Sequence, residues 1–225
     1  MQVIAMHGWC GIGRAWAPMA EAARRLGWSW QSGERGYGSI PPMVPGWRGG
    51  SPRVVIAHSL GPHLLPAAVL EQADTVVLLA SFGRFVPEGA AGRPVRRALE
   101  GMERCLRGVD PTPMLQSFLE RAADPQPWSA LPETVLDEPL RQPGLQRLLQ
   151  DLQLLAHCRG LPAGFPVGAR CLIVEAGADR IVAPEARQKL RVVLPGAEHL
   201  LLPDAGHALL VPDLGERVLG WIGSL

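Results

Sequence analysis

The chain has 225 residues, a formal net charge of +1 at neutral pH, 47% hydrophobic residues and 19% charged ones. That length supports one well-cored domain with room for an inserted segment, and the small net charge argues against a nucleic-acid or anionic-membrane partner. The cysteines at 10, 105, 158 and 171 are scattered, with no Cys-x-x-Cys pair and no His/Cys set at metal-ligand spacing, so reduced thiols, a cytoplasmic location and no metal or other cofactor are expected.

The opening residues, MQVIAMHGW, lack the basic flank of a secretory signal. QVIAM (2–6) reads as a buried strand ending in the loop His7-Gly8-Trp9. Residues 15–27 have helical spacing, with Trp16, Met19, Ala23 and Leu26 on one face and Gly27 as a stop. A second strand is expected over 28–32, then a Pro/Gly-rich loop over 38–52. RVVIA (53–57) is a third strand. A helix is expected over 60–73, with Pro62 in its first turn, and TVVLLA (75–80) is a fourth strand.

From Arg84 to Gly160 the pattern changes. Helical periodicity appears at 93–108, 112–123 and 145–158, interrupted by prolines, and no strand is expected. Strands return at 169–177 and 198–203, with helices at 184–193 and 213–223. Alternating strands and helices indicate an α/β fold: a mostly parallel sheet covered on both faces. The predicted division is a core of 1–83 and 161–225 with a helical insertion, or lid, of 84–160.

Ligands of such sheets gather at the carboxyl ends of the strands, and four segments sit there. AHSLG (57–61) is close to Gly-x-Ser-x-Gly, with Ala57 in place of the first glycine. Small residues on both sides of Ser59 permit a tight strand-to-helix turn that projects the hydroxyl, and Gly61 holds the position where packing is tightest. Taken alone, Ser59 reads equally as a helix N-cap. Asp179, in GADRIV, suits a carboxylate that orients a histidine, or a turn aspartate. His207, in PDAGHALL, suits a general base, or a packed loop histidine; Asp204 is a rival acid. Backbone N–H groups of the His7-Gly8-Trp9 loop and of Leu60 suit an oxyanion hole, with His7 bracing the loop and Trp9 walling the pocket. His58 and His63 read as pocket or packing residues, the latter favoured, and His157 and His199 have no partner pattern. Jointly, the order Ser59, Asp179, His207, each after a predicted strand, is that of a serine triad.

With HGW (7–9), AHSLG (57–61), GADRIV (177–182) and PDAGHALL (203–210), the sequence resembles the α/β-hydrolase superfamily over nearly its whole length. The resemblance begins at that family's third strand, so its amino-terminal hairpin is expected to be missing. Within the superfamily the chain looks most like the carboxylesterases of biotin synthesis that cleave pimeloyl-[acyl-carrier-protein] methyl ester. This resemblance implies Ser59 as nucleophile, His207 as base, Asp179 as its partner, and oxyanion N–H groups from Trp9 and Leu60. It also implies that Trp9 and Phe118, the latter in SFLERA, meet the acyl chain. An acidic carrier protein gives a role to Arg93, Arg96, Arg97 and Arg104, although arginines and acids balance over 84–160 as a whole. The alternatives on the same residues are a thioesterase, a general esterase or lipase, a C–C hydrolase, or a non-catalytic ligand-binding protein.

Overall fold

The structure, a computed structural model, describes residues 1–50, 52–137 and 139–224. Its described residues form one six-stranded sheet in the order β2-β1-β3-β4-β5-β6, with every pairing parallel. The strands are β1 (Gln2–Met6), β2 (Ser29–Gly33), β3 (Arg53–His58), β4 (Thr75–Leu79), β5 (Arg170–Ala176) and β6 (Glu198–Leu202). They match the six apolar or alternating runs expected from the sequence. The four central strands are almost continuously buried, as a sheet covered on both faces requires.

Alternate residues of the four central strands feed two cores. Val3, Ala5, Val54, Ile56, Val77, Leu172 and Val174 pack with α1 (Ala17–Arg25) and α8 (Leu214–Gly223) on one face. Ile4, Met6, Val55, Ala57, Val76, Leu78 and Ile173 pack with α2 (Gly61–Leu64), α3 (Ala67–Leu70) and α7 (Pro184–Val193) on the other. A third core lies beyond the carboxyl ends of the strands. There α4 (Gly92–Leu106), α5 (Thr112–Ala123) and α6 (Gln142–His157), all between β4 and β5, pack on Trp9, Tyr37, Leu60 and Phe82.

Two helical expectations need correction. The helix expected over 60–73 is two short helices, because Pro66 cannot donate to the preceding turn and pushes Leu65 into an extended conformation, ψ 144°. The helix expected over 15–27 starts with a 3₁₀ turn at Gly13–Trp16, and α1 ends at Arg25. Leu26 lies past that end and is 56% exposed, so it does not share the buried face of Trp16 and Ala23. Gly27 does stop the helix, with a φ of +77° that L side chains rarely adopt. Among the described residues no helix is long and apolar enough to cross a membrane.

Candidate active site

β3 ends at His58, and the chain turns at once into α2. Ser59 makes the turn with φ +54°, a left-handed conformation costly for a residue with a Cβ. The turn is held from outside: Ser59 N–H donates to the Leu79 carbonyl at 2.9 Å, and Ser81 Oγ–H donates to the Ser59 carbonyl at 2.7 Å. Gly61 is needed because a Cβ there would lie 2.5 Å from the Met6 carbonyl oxygen of β1. Ala57 meets no such limit. It is fully buried in the core shared with Met6 and Leu65, where its methyl packs.

The three residues singled out in the sequence meet here. Ser59 Oγ–H donates to His207 Nε2 at 2.9 Å, and His207 Nδ1–H donates to Asp179 Oδ2 at 2.9 Å. Ser59 and His207 are 5% and 2% exposed, and the Asp179 side chain is fully buried. The remaining Asp179 oxygen, Oδ1, accepts from the Ile181 and Val182 N–H groups at 2.7 and 2.9 Å. Burial pushes the Asp179 pKa up, but the His207 charge and hydrogen bond, with the two backbone donors, outweigh it and hold the carboxyl below its ordinary value. The rival Asp204 is exposed, and its carbonyl accepts from Gln126.

The His7–Trp9 loop lies against this turn so closely that a Cβ on Gly8 would sit 2.8 Å from Ser59 Cβ. Two amides beside the turn are distinctive: neither Trp9 N–H, in this loop, nor Leu60 N–H, after Ser59, donates a hydrogen bond among the described residues. His7 braces the loop as expected, donating Nδ1–H to the Gly8 carbonyl at 2.8 Å and accepting from Arg35 N–H at 3.2 Å.

Sequence reasoning missed the buried polar residues behind the loop. Glu34 accepts from Gly13 N–H and Gly36 N–H, both at 2.7 Å, and lies 3.6 Å from His7. Burial raises its pKa, and His7 with the two amides lowers it further than that, for a net shift below the ordinary value. Next to it, Arg35 makes two 2.7 Å bonds to Asp151 of α6, and Tyr37 O–H donates to the same carboxylate at 2.6 Å. Trp9 Nε1–H donates to the Leu148 carbonyl, also on α6, at 2.8 Å. The available signal was GERGYG (33–38), charged residues in a glycine-rich loop at a strand's carboxyl end. His63 stacks on Phe82 and bonds its carbonyl, a packing role.

A cleft of about 670 Å³ opens beside the site, between α1, the 207–213 loop with the start of α8, and α5 with residues 130–134. It reaches Gly8, Trp9 and His207, and its walls are mostly apolar. Phe118 of α5 lines it and meets Trp9 edge-on, with ring centroids 4.8 Å apart. The four arginines lie elsewhere, on α4. Arg93, Arg97 and Arg104 are exposed and without an ion-pair partner among the described residues, while Arg96 donates to the Gly89 carbonyl.

The sequence matches no family model, and no curated protein matches it. Solved structures do. An esterase from Exiguobacterium antarcticum superposes with a TM-score of 0.73 at 13% identity, covering 99% of this chain and 92% of that one. A bromoperoxidase from Bacillus anthracis gives 0.69 at 15% identity, covering 99% and 91%. BioG from Haemophilus influenzae gives 0.61 at 11% identity, covering 93% and 89%. The chain therefore has the α/β-hydrolase fold.

Proposed function

We propose that the protein is a serine carboxylesterase that hydrolyses an acyl methyl ester. The observation that carries this reading is the unbroken relay from Ser59 Oγ through His207 to the Asp179 carboxylate, each link 2.9 Å. In it the Ser59 hydroxyl attacks the ester carbonyl carbon while His207 Nε2 takes its proton. Asp179, held ionised, stabilises the resulting imidazolium through Nδ1–H. The N–H groups of Trp9 and Leu60 receive the oxyanion, a contribution worth about 10²–10³ in rate per donor. Collapse expels methanol, which takes the proton from His207 and leaves an acyl-Ser59 ester. Water then attacks that ester, giving its proton to His207, and the acid and free Ser59 are released.

The apolar cleft supports an uncharged acyl chain, with Trp9 and Phe118 against it. Glu133 and Glu216, the acids among its lining residues, disfavour an anionic one. The likeness to BioG supports placing the reaction in biotin synthesis, with pimeloyl-[acyl-carrier-protein] methyl ester as substrate. Arg93, Arg97 and Arg104 line α4 over about 16 Å and suit an acidic carrier protein, with Arg96 beside them.

A fluorophosphonate probe tests the chemistry: it is expected to label the wild type and not Ser59→Ala, which is also expected to lose at least about 10³ in kcat on a short p-nitrophenyl ester. Full activity in Ser59→Ala excludes the reading. Methyl-ester and thioester forms of one carrier-bound acyl group separate esterase from thioesterase. Arg93, Arg97 and Arg104 changed together to Glu are expected to lower kcat/KM about tenfold on the carrier-bound ester and leave the p-nitrophenyl ester unchanged.

A further inference from the structure

We infer that His58 is a positioning residue for His207: the dipeptide His58–Ser59 grips that histidine at two points, its main-chain carbonyl and its ring. The inference rests on His207 acting as the base, and it adds what holds that base in place. His58 Nε2 lies 2.9 Å from the His207 carbonyl oxygen. A carbonyl only accepts, so His58 carries its proton on Nε2. Without that donor the His207 carbonyl, in a residue 2% exposed, has no partner among the described residues. The two imidazoles lie with centroids 5.0 Å apart, tilted by 49°, and do not compete for one hydrogen bond: His58 Nε2 bonds the His207 carbonyl, while the His207 ring nitrogens bond Asp179 and Ser59.

The second half of the grip is the Ser59 hydroxyl on His207 Nε2, 2.9 Å away. Both grips originate at the end of β3, which is fixed in the sheet between β1 and β4. His207 sits on a loop, so its ring would otherwise shift with that loop. Misplacement of a reacting group by about 1 Å costs about 100-fold in rate.

The ionisable groups that face His58 are His207, Asp179 and His7. Burial lowers the His58 pKa to about 4, with a further contribution from the His207 charge. His58 is therefore neutral at neutral pH, and no second cation opposes the imidazolium that forms on His207. Its free Nδ1 faces the Gly8 loop, where a Cβ on Gly8 would lie 3.3 Å away.

The test compares His58→Phe, which keeps a ring of similar size without a donor, with His58→Gln, whose amide N–H can replace Nε2–H. Fluorophosphonate labelling of the wild type comes first, because its failure removes the serine-hydrolase reading itself rather than this one. Given a labelled wild type, His58→Phe is expected to lower kcat on a short p-nitrophenyl ester about 30-fold with KM within about twofold, and His58→Gln to recover to within about threefold of wild type. The acid limb of the kcat/KM profile is expected to stay in place in both variants, since neither changes the titrating base. A kcat in His58→Phe within about twofold of wild type overturns the inference, as does a His58→Gln variant no better than His58→Phe. Loss of the acid limb in His58→Phe also overturns it, by making His58 the titrating base. If His58→Phe does not fold, His58→Leu takes its place under the same criteria.

Discussion

Two buried polar clusters lie at the carboxyl ends of the strands, and they have much in common. One joins Asp179, His207 and Ser59; the other joins Asp151, Arg35 and Tyr37, with Glu34 and His7 beside it. Each centres on a buried carboxylate with short bonds to its partners. They differ in what lies at the far end. The first ends on a hydroxyl held in a left-handed turn beside two undonated amides and a cleft. The second ends on α6, where a guanidinium and a phenol saturate the carboxylate. Burial and close pairing alone thus do not mark a reactive centre; an end on a hydroxyl with partnerless amides and a cleft beside it does.

Separating activity from stability sharpens this contrast. The largest effect is expected from Asp179→Asn, which leaves His207 without the carboxylate that fixes its tautomer: a loss of about 10⁴ in kcat, with the urea-unfolding free energy within about 1 kcal/mol of wild type. Asp151→Ala is expected to do the reverse. It strands Arg35 and Tyr37, and unfolding in urea is expected to show a loss of about 3 kcal/mol, the low end for a broken buried pair because Arg35 is 30% exposed. Its kcat is expected to fall only about tenfold, through the loop that α6 supports. If Asp151→Ala matches Asp179→Asn in activity, the two clusters are one functional unit and the comparison breaks.

The smallest effect concerns pH. His58 titrates at about 4 in the folded chain against an ordinary 6.5, so the unfolded chain binds the proton more readily. The stability from its neutral form is complete above pH 6.5 and is lost as pH falls toward 4. Over that window the wild type is expected to lose on the order of 2–3 kcal/mol that His58→Phe does not, read from urea midpoints at pH 7 and 4.5.

The same two clusters show what could be read from the sequence. Ser59, Asp179 and His207 were legible because each follows a strand with its own local signal and the three occur in a recognisable order. The strands were legible from their apolar runs. Asp151 carried no such signal: a lone aspartate in an amphipathic helix reads as a solvent-facing residue, and its partner lies 116 positions away. Ser81 was missed for the same reason, since its role is a bond to the Ser59 carbonyl 22 positions away, while Glu34 lay in the GERGYG signal and was passed over. The break at Pro66 was legible and misjudged: proline is tolerated in a first helical turn, where Pro62 sits, and not four residues further on.

The bonds that tie α6 to the loops around Ser59 also bear on the order of assembly. Arg35 reaches Asp151 across 116 positions and Trp9 reaches Leu148 across 139, whereas the β1 and β3 pairing spans about fifty. Contacts this distant form only after the intervening chain has closed, and closure grows costlier with loop length. The β1, β3 and β4 pairings can therefore be in register while Trp9 still lacks its final seat, whereas the β4–β5 pairing waits on the same closure across about 95 positions. A chain interrupted before α6 would carry the Ser59 turn without the support that sets the amides beside it.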